Sequence, residues 1–322
     1  MTQINYSRNH FATVLAIDNE RLKEIDVHLG RFSNGEYPES YEPGDISVYR
    51  EILGTVPESI PTRKQLFLNF KGGTGKTSIS VSYAYCLAEL GYSVLLVDLD
   101  SQGHAAKCLG VDAEQCKMTL YEILVKKVDT NEVIIQYPLK GLYLIPSNLR
   151  MSTIDLALMP MTAREYKLKR VFEKMENHYD FIILDAPPSF GLLNLNALIA
   201  STELFVPVLA DFLSFHGLKL LFDTISGLEQ DLQLMLDQIY IFINHYNPTT
   251  IISRQARESL EKHYSEYLIN TVIRQCTKFA QSSAEGIPIT LFDPTCKAAE
   301  DIVKLIEEIF KHTSTGQYKE VS

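Results

Sequence analysis

The segment that most constrains the fold is a glycine-rich turn between an apolar run and a stretch with helical periodicity. Residues 66–68 form the apolar run, residues 72–77 the turn, and residues 79–90 the helical stretch. A turn in this position directs backbone N–H groups and the positive end of a helix at one point, which suits a phosphate chain. The sequence therefore predicts a phosphate-binding loop. Its nucleotide-binding residues are expected to be Gly72, Gly73, Thr74, Gly75, Lys76 and Thr77.

The loop carries an additional lysine. Lys76 stands where it can reach the terminal phosphates of a nucleotide, and the hydroxyl of Thr77 can be a ligand of magnesium. The usual pattern has glycine five positions before Gly75, where this chain has Phe70, and Lys71 follows at the mouth of the loop. An ordinary phosphate loop does not need that second lysine, so Lys71 requires an explanation of its own.

Composition limits the class of protein. The chain has 322 residues, of which 46% are hydrophobic, and this allows one large domain or one domain with an appendage. The net charge of −10 argues against a broadly basic DNA-coating surface, although a local basic patch stays compatible with it. An odd number of cysteines without metal-ligand spacing, no signal peptide and no long apolar run lead us to expect a cytoplasmic chain that does not span a membrane.

The chain divides into three predicted parts. Residues 1–60 are acid-rich, with helical periodicity over 11–29 and over Asp45–Leu53, and we expect a helical extension for self-association or partner docking. A DNA-reading helix-turn-helix is the alternative, which the acidity disfavours. Residues 61–312 are expected to form the main domain, and residues 313–322 a polar tail.

Strands and helices alternate through the main domain. This pattern predicts a doubly wound, mostly parallel α/β sheet with helices on both faces. The predicted strands cover residues 66–68, 92–98, 142–146, 181–185, 204–208 and 239–244, with a short one near 268–273. The predicted helices after the loop cover residues 79–90, 120–127, 161–177, 192–200, 215–232, 253–264 and 297–311.

Polar residues follow several of these strands. Ligands of parallel sheets bind at the carboxyl ends of the strands, which is where Asp98, Asp100 and Asp185 stand. The first two lie on the same side of their strand end, so one could support magnesium while the other positions a water; a helix cap is the alternative for either. Asp185 stands where a Walker B aspartate holds magnesium. Asn244 ends a later strand and could face an adenine base.

Together these residues resemble the ParA/MinD family of deviant Walker A ATPases, and the ParA branch with its Soj-like partition ATPases in particular. Lys71 stands where the family has its signature lysine. Residues 97–103 are similar to the family's D-x-D-P-Q-G segment, with Ser101 in place of proline. Residues 185–198 are similar to D-x-P-P-S-x-G-x-L-x-x-N-A-L, with Asn196 at the asparagine of that motif. The resemblance covers roughly residues 62–311 and leaves out the extension.

The resemblance implies an ATPase that uses ATP and Mg²⁺. Lys76 would bind the β- and γ-phosphates in its own subunit, Lys71 would reach the phosphates of the partner subunit in a nucleotide-sandwich homodimer, and Asp100 would orient the attacking water. The implied metal ligands are Thr77, Asp98 and Asp185. Because phosphoryl transfer depends on charge neutralisation and a placed water, this set of residues suits the reaction.

The resemblance also implies a cellular task. ParA-like ATPases hydrolyse ATP slowly alone, bind non-specific DNA as ATP dimers and are stimulated by a ParB-like partner. Such a protein partitions or positions a chromosome, a plasmid or a large cargo, and it can associate with the nucleoid. The candidate DNA-binding cations are Arg254, Arg257, Arg274, Lys278 and Lys297, which are interleaved with acidic residues.

Three alternatives remain open at this stage. In the first, the cations and the acidic residues between them form an ordinary solvated surface that does not contact DNA, and the cargo is a protein. A MinD-like membrane-cycling regulator would need a basic amphipathic C-terminal helix, whereas residues 313–322 are polar. A metabolic enzyme on the same loop, either nitrogenase-reductase-like or an amidoligase, would need cluster-ligating cysteines or a second substrate motif.

Overall fold

The computed structural model describes residues 5–33, 35–211, 214–232 and 234–314. Its strands are β1 (Tyr6–Ser7), β2 (Ser40–Tyr41), β3 (Arg63–Phe67), β4 (Val94–Asp98), β5 (Ile135–Gln136), β6 (Leu142–Ile145), β7 (Phe181–Asp185), β8 (Glu203–Leu209) and β9 (Gln238–Asn244). Its helices are α1 (Arg8–Val14), α2 (Asn19–His28), α3 (Asp45–Leu53), α4 (Lys76–Glu89), α5 (His104–Cys108), α6 (Leu120–Lys126), α7 (Ile154–Leu158), α8 (Lys167–Glu173), α9 (Leu192–Ala200), α10 (Ser214–Leu232), α11 (Ile251–His263), α12 (Lys278–Glu285), α13 (Ile289–Phe292) and α14 (Lys297–Ser314).

The central sheet has seven strands in the order β5-β6-β4-β7-β3-β8-β9. Every neighbouring pair is parallel except β5 with β6. Alternate residues of β7 belong to different hydrophobic clusters, Phe181 and Ile183 to one and Ile182 and Leu184 to the other. Both faces of the sheet are therefore buried under helices, and the predicted doubly wound, mostly parallel architecture is confirmed.

The strand order brings the functional strand ends together. β7 lies between β3 and β4, so Asp185 is the register partner of Phe67 on one side and of Asp98 on the other. The phosphate loop leaves the carboxyl end of β3, and β8 ends beside it. The carboxylates that were far apart in sequence thus meet at one edge of the sheet.

The extension is packed against the main domain. The rings of Phe11 and Tyr41 stack at 4.3 Å and those of Phe11 and Tyr49 meet edge to face at 5.1 Å, within the hydrophobic cluster that also contains residues of α4 and α14. The hydroxyls of Tyr41 and Tyr49 both donate to the buried carboxylate of Asp26. The Tyr6 hydroxyl donates to Glu89 at the end of α4.

Two predicted helices are shorter or divided. The periodic stretch 11–29 forms α1 and α2 because Ala16 has a φ of +55° and the Asp18 side chain caps the second helix. The stretch 161–177 gives only a short 3₁₀ turn followed by α8, since Ala163 has a φ of +48°. The helices at Asp45–Leu53 and Leu192–Ala200 have the predicted bounds. The final helix runs to Ser314, and residues 315–322 of the predicted tail lie outside the described residues.

The predicted strand near 268–273 is wrong. Leu268 forms an isolated bridge with Ile241 of β9, and Arg274 forms another with Tyr246, which follows β9. Between those bridges the Glu308 carboxylate of α14 accepts the backbone N–H groups of Asn270 and Thr271, both at 2.8 Å. The Ile269 N–H bonds to Ile241 of β9, so the Thr271 N–H two residues later is the donor that is lost to a ladder with β9. The sequence pattern also did not predict β1, β2, β5, α5, α7, α12 and α13.

Candidate nucleotide-binding site

Asn244, the last residue of β9, holds the backbone of the phosphate loop. Its Nδ2 donates to the Thr74 carbonyl at 2.8 Å, and its Oδ1 accepts from the His245 N–H. Gly75 has a φ of +86°, and a Cβ at this position would lie 2.2 Å from Asn244 Nδ2. Only glycine satisfies both conditions. The observed contact of Asn244 is therefore with the loop, and its predicted contact with adenine stays a prediction.

Lys76 is the first residue of α4 and is only 6% exposed. Its Nζ donates to the Lys71 carbonyl at 3.4 Å, across the concave side of the loop. Burial lowers the pKa of Lys76, against the opposite effect of Asp185 and Asp100. The first N–H groups of α4 have no acceptors within the helix. A buried ammonium and a helix N-terminus at one point form a site for phosphate oxygens.

Asp185 fits a magnesium ligand. It is fully buried at the end of β7, and neither carboxylate oxygen has a hydrogen-bond partner of ordinary geometry among the described residues. Burial raises its pKa, although the nearby Thr77 hydroxyl and the charge of Lys76 lower it. A carboxylate that is buried without a donor is stabilised by a hard divalent cation, and the Thr77 hydroxyl beside it is a further oxygen ligand.

Asp98 and Asp100 have different surroundings. Both oxygens of the fully buried Asp98 accept backbone N–H groups, from Asp100 at 3.0 Å and from Ala105 at 3.1 Å. Burial and the neighbouring Asp185 raise the pKa of Asp98. Asp98 is thus observed as a cap of the turn before α5, the alternative that the sequence left open. Asp100 is partly exposed, and its Oδ1 accepts the Gln102 N–H at 3.0 Å.

The signature lysine is paired within its own chain. Lys71 Nζ lies 2.9 and 2.7 Å from the two carboxylate oxygens of Asp211, which follows β8. Asn69 shapes the approach, because its Oδ1 accepts the Lys71 N–H at 2.9 Å and its Nδ2 donates to the Pro207 carbonyl at 2.9 Å. Neither partner was predicted from the sequence. The rule that found Asp185 would also find Asp211 as a carboxylate that follows a buried strand, but not as the partner of Lys71.

The predicted DNA-binding cations do not form a uniform patch. Arg257 pairs with Glu261 at 2.8 Å, and Lys278 lies 3.7 Å from an Asp293 oxygen. Arg274 forms ion pairs with Asp301 and Glu300 and thereby ties its own segment to α14. The side chains of Arg254 and Lys297 are exposed. Their contact with DNA stays a prediction.

Comparison with known proteins agrees with this site. The family model described as an AAA domain matches residues 62–238. The chain is 56% identical over 304 residues to the cell division protein PomZ of Myxococcus xanthus, covering 94% of this chain and 92% of that protein. It is 34% identical to the sporulation initiation inhibitor protein Soj of Bacillus subtilis, covering 75% of this chain and 95% of that protein.

Solved structures share the fold. One, described as cobyrinic acid a,c-diamide synthase of Mycobacterium smegmatis with an ATP analogue and magnesium, is 28% identical with a TM-score of 0.70 and covers 80% of this chain and 98% of that one. MinD of Pyrococcus horikoshii with Mg-ADP has a TM-score of 0.64 at 23% identity, covering 81% of this chain and 100% of that one.

ATP and Mg²⁺ are therefore the cofactors of the site. Among the described helices, none combines the length and apolar character that crossing a bilayer requires. The phosphate loop with its second lysine, the unpartnered Asp185 at the adjacent strand end and the identity with PomZ and Soj lead to one assignment. The chain belongs to the ParA/MinD family of deviant Walker A ATPases.

Proposed function

We propose that the protein is an ATP-driven dimerising switch that positions a cargo in cell division. The relative PomZ is described as a cell division protein, and the alignment with it covers 94% of the chain. That alignment has to include most of the extension, whereas the alignment with Soj covers 75% of the chain. The shared extension supports a cell-division cargo over partition of a chromosome or plasmid.

The observation that carries the dimerisation proposal is the position of Lys71. Its side chain is 27% exposed and points to Asp211 rather than to the phosphate side of its own loop. Lys76 already supplies the buried ammonium of that loop. Lys71 would therefore exchange Asp211 for the γ-phosphate of a second copy, which would make hydrolysis depend on dimerisation and make ATP the signal for it.

Hydrolysis in this proposal uses residues that have separate tasks. Lys76 holds the phosphates, and Asp100 accepts a hydrogen bond from the attacking water. Thr77 and Asp185 would hold Mg²⁺, and Asp98 would hold the turn beside them. The ion would neutralise phosphate charge. Because the transferred phosphoryl group and its leaving oxygen carry negative charge in the transition state, the second ammonium from Lys71 would lower the barrier in the dimer only.

The finer parts of the proposal concern partners. A ParB-like activator would stimulate hydrolysis and release the dimer. The dimer would use exposed cations such as Arg254 and Lys297 to hold non-specific DNA, so that the protein is cytoplasmic and nucleoid-associated. The three cations that are paired with carboxylates contribute less, because a neutralised charge releases fewer counterions from DNA.

The decisive experiment is sedimentation of the purified protein with ADP or ATP, together with steady-state hydrolysis. We expect an ATP-dependent dimer, a persistent ATP dimer for Asp100→Ala, and loss of dimer-dependent turnover for Lys71→Ala. Lys140→Ala, which removes a 63% exposed side chain elsewhere, is the control. A monomeric Asp100→Ala variant with ATP, or unchanged turnover of Lys71→Ala, would contradict the proposal.

DNA binding and the enzymatic alternative are tested separately. A gel shift with ATP should weaken steeply across a salt series. Binding that is absent or independent of ATP would leave a protein surface as the anchor. The amidoligase alternative is suggested by the description of the Mycobacterium smegmatis structure. It predicts that turnover requires an added carboxylic acid and ammonia donor, whereas the switch hydrolyses ATP without either.

A further inference from the structure

The loop that follows Asp185 has few buried contacts of its own. Pro188, Ser189 and Phe190 are exposed, and Phe190 meets the Phe70 ring of the phosphate loop edge to face at 5.3 Å. The first half of the loop is held by Asn194 of α9, whose Nδ2 donates to the Pro187 carbonyl at 3.0 Å and to the Ser189 carbonyl. The position of the loop is consequently set by the position of the first turn of α9.

Asp155, a residue of the neighbouring helix α7, caps that first turn. Asp155 Oδ1 accepts the Leu193 N–H at 2.9 Å. The approach is so close that a Cβ on Gly191, the residue before α9, would lie 2.1 Å from Asp155 Oδ2. Ile154 and Leu158 are 3% and 0% exposed and fix α7 in the core. The carboxylate is thus mounted on a rigid element and replaces an N-cap side chain that Gly191 lacks.

We propose that Asp155 is a positioning residue for ATP hydrolysis, which rests on the ATPase function proposed above. It fixes the start of α9. Through Asn194 it thereby fixes the loop that follows Asp185, and Phe190 of that loop contacts the phosphate loop. A shift of about 1 Å at a reacting centre can cost about a hundredfold in rate. Loss of the hydrogen bond between Asp155 and the Leu193 N–H therefore lowers kcat. The phosphate loop keeps its affinity for ATP, because Asn244 holds it independently.

Two substitutions separate geometry from charge. Asp155→Asn keeps an acceptor oxygen at the same distance but removes the charge, whereas Asp155→Glu keeps the charge and displaces the oxygens by one methylene group. We expect kcat of Asp155→Asn within about twofold of the unchanged protein and kcat of Asp155→Glu and Asp155→Ala lower by about tenfold or more, with ATP affinity within about twofold in all three. A deficient Asp155→Asn beside an active Asp155→Glu would overturn the positioning role.

Asp18→Ala is the matched control, because Asp18 also accepts a backbone N–H at a helix start, from Arg21 at 2.7 Å, but lies in the extension. A kcat loss in Asp18→Ala equal to that of Asp155→Ala at equal melting temperature would mean that the effect is structural only. Hydrogen exchange of residues 186–195 gives a readout that does not require turnover. We expect faster exchange there in Asp155→Glu than in Asp155→Asn; equal exchange would overturn the inference even if the unchanged protein lacked ATPase activity.

Discussion

The buried Glu89 offers a test of the packing between the extension and the main domain. It ends α4, is 6% exposed and accepts the Tyr6 hydroxyl at 2.8 Å. Arg50 of the extension donates to the Glu89 carbonyl at 2.7 Å, and the Tyr85 hydroxyl lies against that of Tyr6. Burial raises the pKa of Glu89 to about 8 from 4.5, although Tyr6 and Arg50 lower it. The folded protein therefore keeps Glu89 protonated at neutral pH.

The sign of the pH dependence follows from this raised pKa. Between pH 4.5 and pH 8 the unfolded chain has lost the proton while the folded chain retains it, so the free energy of unfolding falls as pH rises. The contribution of Glu89 is largest below pH 4.5 and is lost as pH rises to 8. At about 1.4 kcal/mol per pH unit, the loss reaches about 2 kcal/mol at pH 6 and about 3 kcal/mol at pH 7.

Glu89→Gln removes this loss while its amide oxygen still accepts from Tyr6. Urea unfolding should show Glu89→Gln to be more stable than the unchanged protein by about 2 kcal/mol at pH 6 and about 3 kcal/mol at pH 7. Replacing the exposed Glu258 with glutamine controls for the loss of one carboxylate. A stability difference that is constant from pH 5 to pH 8, or that has the opposite slope, would refute a buried, protonated Glu89.

Two further predictions concern the phosphate loop. Gly75→Ala should lose ATP binding in a fluorescent-nucleotide titration, because its Cβ would meet Asn244 and its φ of +86° is strained for alanine; Gly227→Ala, which meets no atom within 4 Å, should bind normally. Asp211→Asn should weaken the partly exposed pair with Lys71. In sedimentation with ATP, the protein concentration at which half of the chains are dimeric should therefore fall by about threefold. A rise in that concentration would contradict a pair that restrains Lys71.

Local sequence determines the parts of the site that are contiguous in the chain. The loop around Gly75 and the strand ends at Asp98 and Asp185 were predictable, since an apolar run followed by a polar residue is a local pattern. The partner of Lys71 was not, because Asp211 is brought near by the pairing of β3 with β8. The failed strand near 268–273 has a similar origin, since Glu308 of α14, 37 residues after Thr271 in the sequence, accepts its backbone N–H.

Asp98 and Asp185 show that residue type and strand position do not determine which contacts a side chain makes. The place of Asp98 beside a phosphate loop favoured a magnesium ligand, but the turn into α5 leaves backbone N–H groups that need an acceptor. Asp98 supplies it to Asp100 and Ala105, whereas the oxygens of Asp185 accept no backbone N–H from the residues that the structure describes. Two aspartates at adjacent strand ends therefore differ in their availability to a metal, and the difference depends on the backbone that follows each strand.

The sequence left the role of the extension open between self-association or partner docking and DNA reading. The contacts of its lysine and arginine side chains bear on this choice. All five lysine and arginine side chains of residues 1–60 are engaged by acceptors. Arg8 donates to the Pro38 carbonyl, and Arg50 is buried against the end of α4. The others pair with carboxylates of the extension itself, as Arg21–Glu24, Lys23–Glu20 and Arg31–Asp45. Because DNA contact depends on cations directed at phosphates, these contacts disfavour a DNA-reading helix-turn-helix, and self-association or partner docking stays the prediction for the extension.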